Sequence, residues 1–410
     1  MSRLNALIQE YCPDGVEYDE LGNLGKFYGG LSGKSKDDFS NGNCKFITYM
    51  NVFSNPSLNT DTEEKVNIEE NEKQNTILYG DIIFTGSSEN KDECGMSSVL
   101  TQLTDEKLYL NSFCFGFRFD NSNLLLPDFS KHLFRSLELR KQINKTASGV
   151  TRFNVSKKKM EKVTIPLPPV PVQAEIVRIL DNFTELTAEL TAELTARKEQ
   201  YEYYRDSLLT FGNEIEWKQL DEIADFKYGY TDKAKLNGSA RFIRITDIGD
   251  NGKLIETDSR FIDLSEESKH YLLQKNDLLM ARTGATYGKT MLFDCEYPAV
   301  YASFLIRIRF PKQDVLPKYY WHFSQSQMYW NQANKLASKA GQPQFNANVL
   351  KVIKLPVPTI PEQQRIVETL DRFDTLYNDI SAGLPAEIKA RQEQYEYYRN
   401  KLLTFKEKEV

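Results

Sequence analysis

The chain contains itself twice, and that duplication constrains its architecture more than any other feature. Residues 196–205 read Ala-Arg-Lys-Glu-Gln-Tyr-Glu-Tyr-Tyr-Arg, and residues 390–399 read Ala-Arg-Gln-Glu-Gln-Tyr-Glu-Tyr-Tyr-Arg. Leu208-Leu209-Thr210-Phe211 returns as Leu402-Leu403-Thr404-Phe405. Upstream, Ile165-Pro166-Leu167-Pro168 and Gln173 return as Leu355-Pro356-Val357-Pro358 and Gln363, and Ile176–Phe183 returns as Ile366–Phe373. Solenoid units repeat every ~20–50 residues; this period is a duplicated half-molecule. Such a chain suits a two-part target or two copies of one partner.

Between the repeated stretches lie two variable parts that align only weakly. Phe27-Tyr28-Gly29-Gly30 resembles Phe226-Lys227-Tyr228-Gly229, and Leu78–Phe84 resembles Gln274–Met280. Gly149–Asn154 resembles Gly341–Asn346, which gives Asn154 and Asn346 a shared role such as a helix cap. Short β-rich runs (Lys45–Tyr49, Phe242–Ile245, Asp277–Met280, Phe304–Phe310) are separated by Gly, Asn and Asp turns. Helices are expected over Leu125–Asn144 and Lys318–Lys339.

The repeated parts read as helices. Pro166, Pro168, Pro169 and Pro171 mark a stiff, non-helical approach. Ile176, Leu180, Phe183, Leu186, Leu190 and Leu194 then recur every three or four residues, and Tyr201, Tyr204 and Leu208 extend that face. The second copy runs Ile366, Leu370, Phe373, Leu376/Tyr377 and Ile380, and Gly383 and Pro385 interrupt it with a kink or restart rather than an end. A stripe this long must be buried, and the other copy is the obvious partner. The expected fold class is α/β (α+β): two globular domains separated by two long antiparallel helices packed as a coiled coil, with pseudo-two-fold symmetry. The expected boundaries are 1–168, 169–214, 215–358 and 359–410. Thr187-Ala188-Glu189-Leu190 is followed by Thr191-Ala192-Glu193-Leu194. In a helix such a tetrapeptide either adjusts length, by about 6 Å per unit, or is helix-forming filler alone.

Composition excludes several classes. The opening residues lack a signal-peptide layout and no apolar run is long enough to span a bilayer, so a cytoplasmic protein without membrane contact is expected. Cys12, Cys44, Cys94, Cys114 and Cys295 are scattered, and the three histidines lie far apart, which points to no metal and no cofactor, although carboxylates alone could still hold magnesium. The net charge of −6 is unevenly distributed. Residues 163–220 carry ten acids against five bases, whereas Lys131–Lys162 holds ten bases against Glu138 and Glu161. A phosphate backbone responds to local basic concentration, not total charge.

A search for chemistry finds little. Thr283-Gly284-Ala285-Thr286-Tyr287-Gly288-Lys289-Thr290 ends like a phosphate loop but has three residues between its glycines where the pattern needs four. The Asn/Asp-Pro-Pro-aromatic signature of methyltransferases is absent, as are nucleophile-elbow and His-Glu-x-x-His patterns. Asp81 and Asp277 occupy matching places and read as turn-capping residues before buried strands, with a catalytic carboxylate as the alternative.

The layout resembles the specificity subunit of Type I restriction–modification systems. The resemblance is carried by Ile165-Pro166-Leu167-Pro168-Pro169, by Gln173-x-x-Ile176-Val177-x-x-Leu180-Asp181, by the Thr-Ala-Glu-Leu units and by Gln200–Arg205, with second copies at Pro361–Val367 and Gln394–Arg399. It covers the whole chain, and the order and duplication of the motifs make it specific. It implies a non-catalytic subunit whose two variable parts are target recognition domains, each reading half of a bipartite asymmetric DNA site. The helices would set the unread spacer and dock two methyltransferase subunits, which restriction/translocase subunits join. The rival reading is a coiled-coil scaffold that reads no DNA; a stand-alone nucleotide enzyme is the third.

Arg, Asn and Gln read base edges best, and basic side chains hold phosphates. On that chemistry the first domain's candidates are Arg152 and Asn154, with Lys157, Lys158 and Lys159, and also Arg135, Arg140, Lys141 and Lys145, on the backbone. The second domain's are Arg282, Tyr287, Lys289, Gln342 and Gln344, with Arg241 and Arg244. Tyr201, Tyr204, Tyr395 and Tyr398, which recur on the helices, are expected in helix packing or partner docking.

Overall fold

A computed structural model describes residues 2–212, 214–336 and 345–409. Gln342 and Gln344 lie outside the described residues, as does the end of the helix expected to reach Lys339; the side chains of Leu376, Tyr377 and Ile380 also lie outside them. The chain divides into two compact units, Met1–Thr191 with Ala386–Val410, and Ala192–Pro385.

Each unit is built on the same four-stranded antiparallel sheet. In the first its order is Gly25–Gly29, Cys114–Phe119, Ile82–Thr85, Ser97–Val99. In the second it is Asp225–Tyr228, Leu305–Arg309, Leu278–Ala281, Thr290–Leu292. The strands Ile82–Thr85 and Leu278–Ala281 are buried along their whole length, as their apolar runs require. Alternation divides their side chains between two cores. Ile82 and Phe84 face the helices while Ile83 faces a second, smaller sheet. Leu278 and Met280 divide from Leu279 and Ala281 in the same way. The smaller sheets also match: Cys44–Ile47 runs parallel to Leu108–Leu110, and Ala240–Ile243 parallel to Ala299–Tyr301.

The helix expected over Leu125–Asn144 is two helices, Pro127–Leu133 and Leu137–Thr146. Its counterpart is likewise Pro317–Ser324 and Gln327–Leu336. Both breaks end in a serine. The amides of Arg135 and Ser136 bond three residues back, to His132 and Leu133, tightening and ending the first helix; Gln325 and Ser326 do the same to His322 and Phe323. Ser326 then caps the next helix through its hydroxyl, which accepts from the Tyr329 amide at 3.2 Å. Apolar spacing continues through such a break, so periodicity alone joins the two helices.

The repeated parts form long helices, Val170–Leu208 of 39 residues and Ile360–Leu402 of 43. The first begins one residue before Pro171, so the proline approach is shorter than expected. A first-turn amide has no intrahelical partner, and proline loses nothing there. Pro385 lies inside the second helix, which continues past it. In each unit the N-terminal half of one helix meets the C-terminal half of the other. Phe183 stacks on Tyr398 in the first unit, with ring centroids 5.4 Å apart. Tyr204 stacks on Phe373 in the second, at 4.9 Å.

Candidate nucleic-acid interface

The variable parts are held to the helices by a duplicated set of buried polar contacts. Gln173, at the start of the first long helix, accepts a hydrogen bond from the Leu126 amide at 2.8 Å and donates to the carbonyls of Leu124 and Pro168. Gln363 repeats this with the Leu316 amide at 2.9 Å and the carbonyls of Asp314 and Pro358. Both side chains are fully buried, so each bond offsets a desolvation cost that would otherwise be unmet. Asp181 joins Lys131 and His132, and Asp371 joins Lys318 and His322.

Asp81 and Asp277 each end a turn whose third residue has positive φ, Gly80 at 85° and Asn276 at 72°. Their carboxylates accept from the amides of Leu78 (2.8 Å) and Gln274 (2.9 Å). Each also pairs bidentately with an arginine on the neighbouring strand, Arg118 or Arg309. These carboxylates brace the sheet, as turn-capping residues do. The two arginines were not singled out from sequence, although they occupy the same strand position in both halves.

Hydrogen bonds correct the alignment of the loops beyond the sheet. The Val155 amide donates to the Gly86 carbonyl, and the Phe345 amide to that of Arg282. Val155 is therefore the counterpart of Phe345, two residues away from the expected match of Phe153. The helix caps agree: Ser156 caps Lys157–Met160 and Asn346 caps Ala347–Lys351. Asn154 is no cap; it lies on an exposed strand, its amide 3.5 Å from the Arg152 carbonyl. With this register Lys157-Lys158-Lys159 corresponds to Ala347-Asn348-Val349, so the basic helix belongs to the first half alone.

The candidate cations of the first half separate into two groups. Arg135 donates to the carbonyls of Ser97, Val52, Phe53 and Asn55, and Arg140 to those of Gly95, Asp92 and Cys94. Burial lowers both guanidiniums to about 10. Arg135 ties loops to the break between the two helices and Arg140 ties them to the helix Leu137–Thr146, and we take both out of the candidate surface. Lys141 is exposed but pairs with Glu138 at 2.8 Å. Lys145, Arg152, Lys157, Lys158 and Lys159 are exposed and enter no ion pair among the described residues. Lys157 extends over the Phe115 ring, its Nζ 5.5 Å from the centroid.

In the second half Arg241 is buried, bonded to Glu256 at 2.9 Å and to the Ile255 carbonyl. Arg244 pairs with Asp247 at 2.8 Å and with Asp258. Both are committed to the protein's own acids and also leave the candidate surface. The loop Thr283–Thr290 is a tight turn. The amides of Tyr287, Gly288 and Lys289 bond to the carbonyls of Gly284, Ala281 and Thr286, and Lys289 pairs with Asp250. A phosphate cradle presents successive free amides, and these three are bonded within the turn instead. The Tyr287 hydroxyl donates to Asn334 at 2.7 Å. Arg282 has no acidic partner among the described residues; its guanidinium sits between the rings of Tyr228 (5.3 Å) and Phe304 (5.4 Å).

The helix tyrosines divide similarly. Tyr204 and Tyr398 stack inward on Phe373 and Phe183, Tyr395 meets the His132 ring nitrogen Nδ1 at 2.9 Å, and Arg205 covers the half-buried Tyr201. The most exposed are Tyr203, at 70%, and its repeat Tyr397, at 59%, while Tyr204 keeps 39% exposure beside its stacking partner. Helical spacing carries the signal: 201, 204 and 208 share one face, and 203 falls off it. Among the described residues no cluster of His, Cys, Asp or Glu suits a metal ion, and no helix is long and apolar enough to cross a membrane.

Comparison with known proteins finds the same duplication. The family model for the Type I restriction modification DNA specificity domain matches residues 13–199 and again residues 213–390. The Type I restriction enzyme EcoR124I/EcoR124II specificity subunit of Escherichia coli is 40% identical over 275 residues, covering 62% of this chain and 66% of that protein. The match thus spans just under two thirds of that relative's length. The crystal structure of a Type I restriction–modification S subunit from M. genitalium aligns with a TM-score of 0.51 at 14% identity, covering 95% of this chain and 96% of that one. A chain from a structure addressing assembly and conformational transition of the type I system reaches 0.60 at 15% identity, covering 95% and 98%. At these identities the structural likenesses show the fold alone.

Proposed function

The chain belongs to the Type I restriction–modification DNA specificity family, and we propose that it gives its complex a bipartite, asymmetric DNA target, each variable domain reading one half-site. One observation carries this reading. Identical anchors, Gln173/Gln363 and His132–Asp181/His322–Asp371, hold two heads whose exposed surfaces differ. Where the first head offers Lys157-Lys158-Lys159, the second offers Ala347-Asn348-Val349. A duplicated frame with unlike faces suits a two-part target of unlike halves.

The subunit itself performs no chemistry. Methylation and cleavage belong to partners: two methyltransferase subunits docked on the repeated helices, joined by restriction/translocase subunits in the cytoplasm. Tyr203 and Tyr397, exposed at equivalent positions, are the residues we assign to docking. The helices set the unread spacer, with 1–168 and 215–358 as the recognition domains and 169–214 and 359–410 as the spacer helices. DNA specificity in the family displaces the reading of a scaffold that reads no DNA.

The test is to co-express the chain with its methyltransferase subunits and map modified bases genome-wide. A motif of two different half-sites around a fixed gap is expected. A continuous or palindromic motif would overturn the reading.

A further inference from the structure

The two domains place an arginine over the same aromatic position by different routes. The amide of Gly86 donates to the carbonyl of Phe113 at 2.7 Å, and the amide of Arg282 to that of Phe304 at 3.0 Å. Gly86 therefore corresponds to Arg282, and Phe113 to Phe304. Each phenylalanine immediately precedes a central strand, Cys114–Phe119 or Leu305–Arg309, and about half of each ring is exposed, 57% and 50%.

In the second unit the arginine immediately follows the neighbouring strand Leu278–Ala281, and its guanidinium lies 5.4 Å from the Phe304 centroid. In the first unit that position cannot carry a side chain, because a Cβ on Gly86 would fall 2.7 Å from the Phe113 carbonyl oxygen. There Arg152 reaches back from a loop instead. Its guanidinium lies 5.8 Å from the Phe113 centroid, and its Nε donates to the Ser87 hydroxyl at 3.1 Å. It borders a cleft of about 610 Å³ lined also by Tyr49, Met50, Asn90 and the carboxylates of Glu89 and Glu93, neither of which pairs with it. Among the described residues neither arginine has an acidic partner, unlike Arg118, Arg241, Arg244 and Arg309, whose guanidiniums are all paired.

An arginine held against a ring keeps its fork of donors while losing less freedom on binding than a solvated one. Guanine is the base that offers two acceptors to such a fork, O6 and N7 in the major groove. We infer that Arg152 and Arg282 are specificity-determining residues, each reading a guanine in the half-site of its own domain. This rests on the reading of the chain as a DNA specificity subunit and adds which residue reads which base.

The experiment maps methylation by the complex carrying Arg152→Ala, Arg152→Lys, Arg282→Ala or Arg282→Lys, with thermal melts of each complex and binding to duplexes bearing single G·C substitutions. Each alanine variant should relax one G·C position, losing roughly ten- to a hundred-fold discrimination there, and each should act on a different half-site. Lysine keeps the charge but not the fork, so the lysine variants should relax the same positions. Unchanged motifs, or both variants relaxing the same half-site, would overturn the inference. So would equal loss of binding to all sequences at unchanged melting temperature, which marks a phosphate contact. A wild-type complex with no bipartite motif would instead refute the proposed function.

Discussion

His132 Nε2 lies 2.8 Å from the Asp181 carboxylate, and the repeat reproduces the pair as His322 and Asp371 at 3.0 Å. Both histidines are buried. Burial lowers their pKa below the usual value and outweighs the carboxylate beside each; Asp128 adds to Asp181 at His132, Asp374 adds to Asp371 at His322, and Lys131 and Lys318 oppose. A depressed histidine binds fewer protons folded than unfolded, so its contribution is complete above about pH 6.5 and is lost as pH falls from there through the folded value. Asp181 and Asp371 act in the same direction at lower pH. Burial raises them, but the bonds from His132 and Lys131, and from His322 and Lys318, hold them below the usual carboxylate range. We expect the melting temperature to drop between pH 7.5 and 5.5, and the double variant His132→Asn/His322→Asn to flatten that drop. A wild-type melt that does not respond to pH over this range would contradict the account.

The two copies differ at the other ring nitrogen. His132 Nδ1 meets the Tyr395 hydroxyl at 2.9 Å, while His322 Nδ1 is buried with no partner among the described residues. Tyr395→Phe should therefore make the first copy resemble the second, at a cost of about 1–2 kcal/mol for an unmet buried acceptor. Chemical denaturation of wild type and variant checks it. Tyr397→Phe, at an exposed ring of the same helix, should change stability by less than about 0.5 kcal/mol. Equal stability of Tyr395→Phe and wild type would show that water replaces the hydroxyl.

The frame was legible in the sequence and the surface was not. The repeat, both long helices and the bracing aspartates follow from period, apolar spacing and turn chemistry. Arg135, Arg140 and Arg241 looked like surface cations because nothing in a sequence says that a guanidinium faces its own chain's carbonyls or acids. The loop register failed for a related reason. Serine and asparagine cap helices equally well, so sequence alone pairs Asn346 with Asn154 although Ser156 holds the corresponding place. Strand partners, visible only in three dimensions, fixed that register and brought Arg152 to Phe113.

The lysine helix predicts unequal halves. Lys157, Lys158 and Lys159 are exposed without ion pairs among the described residues, and their counterparts Ala347, Asn348 and Val349 are uncharged. If the three lysines neutralise phosphates, replacing all three by alanine should reduce the slope of log affinity against log salt by up to about 2.7, at ~0.9 per phosphate. The methylated motif should stay the same, since phosphate contacts position rather than specify. Binding titrations across a salt series measure the slope. A changed motif would mean that these side chains reach base edges.

On the proposed function, the tetrapeptide repeat is the most direct handle on spacing. Residues 187–194 lie within the unbroken helix Val170–Leu208, and the Thr187 and Thr191 hydroxyls bond back to carbonyls four residues earlier at 2.8 Å. Leu186, Leu190 and Leu194 are half-buried, and the residues between them are mostly exposed. Removing Thr187–Leu190 shortens the helix by about 6 Å and rotates its C-terminal portion by about 40°. The remaining leucines stay close to their original face, so the helix should survive. About 6 Å is just under two base-pair rises of ~3.4 Å, and about 40° is close to one base-pair twist at ~10.5 pairs per turn. Rise and twist together allow a change of one or two base pairs. The variant complex should methylate a motif with both half-sites intact and the gap between them shortened by that amount. Altered bases within either half-site would show that the helix shapes the reading surfaces, and an unchanged gap would remove it as the ruler.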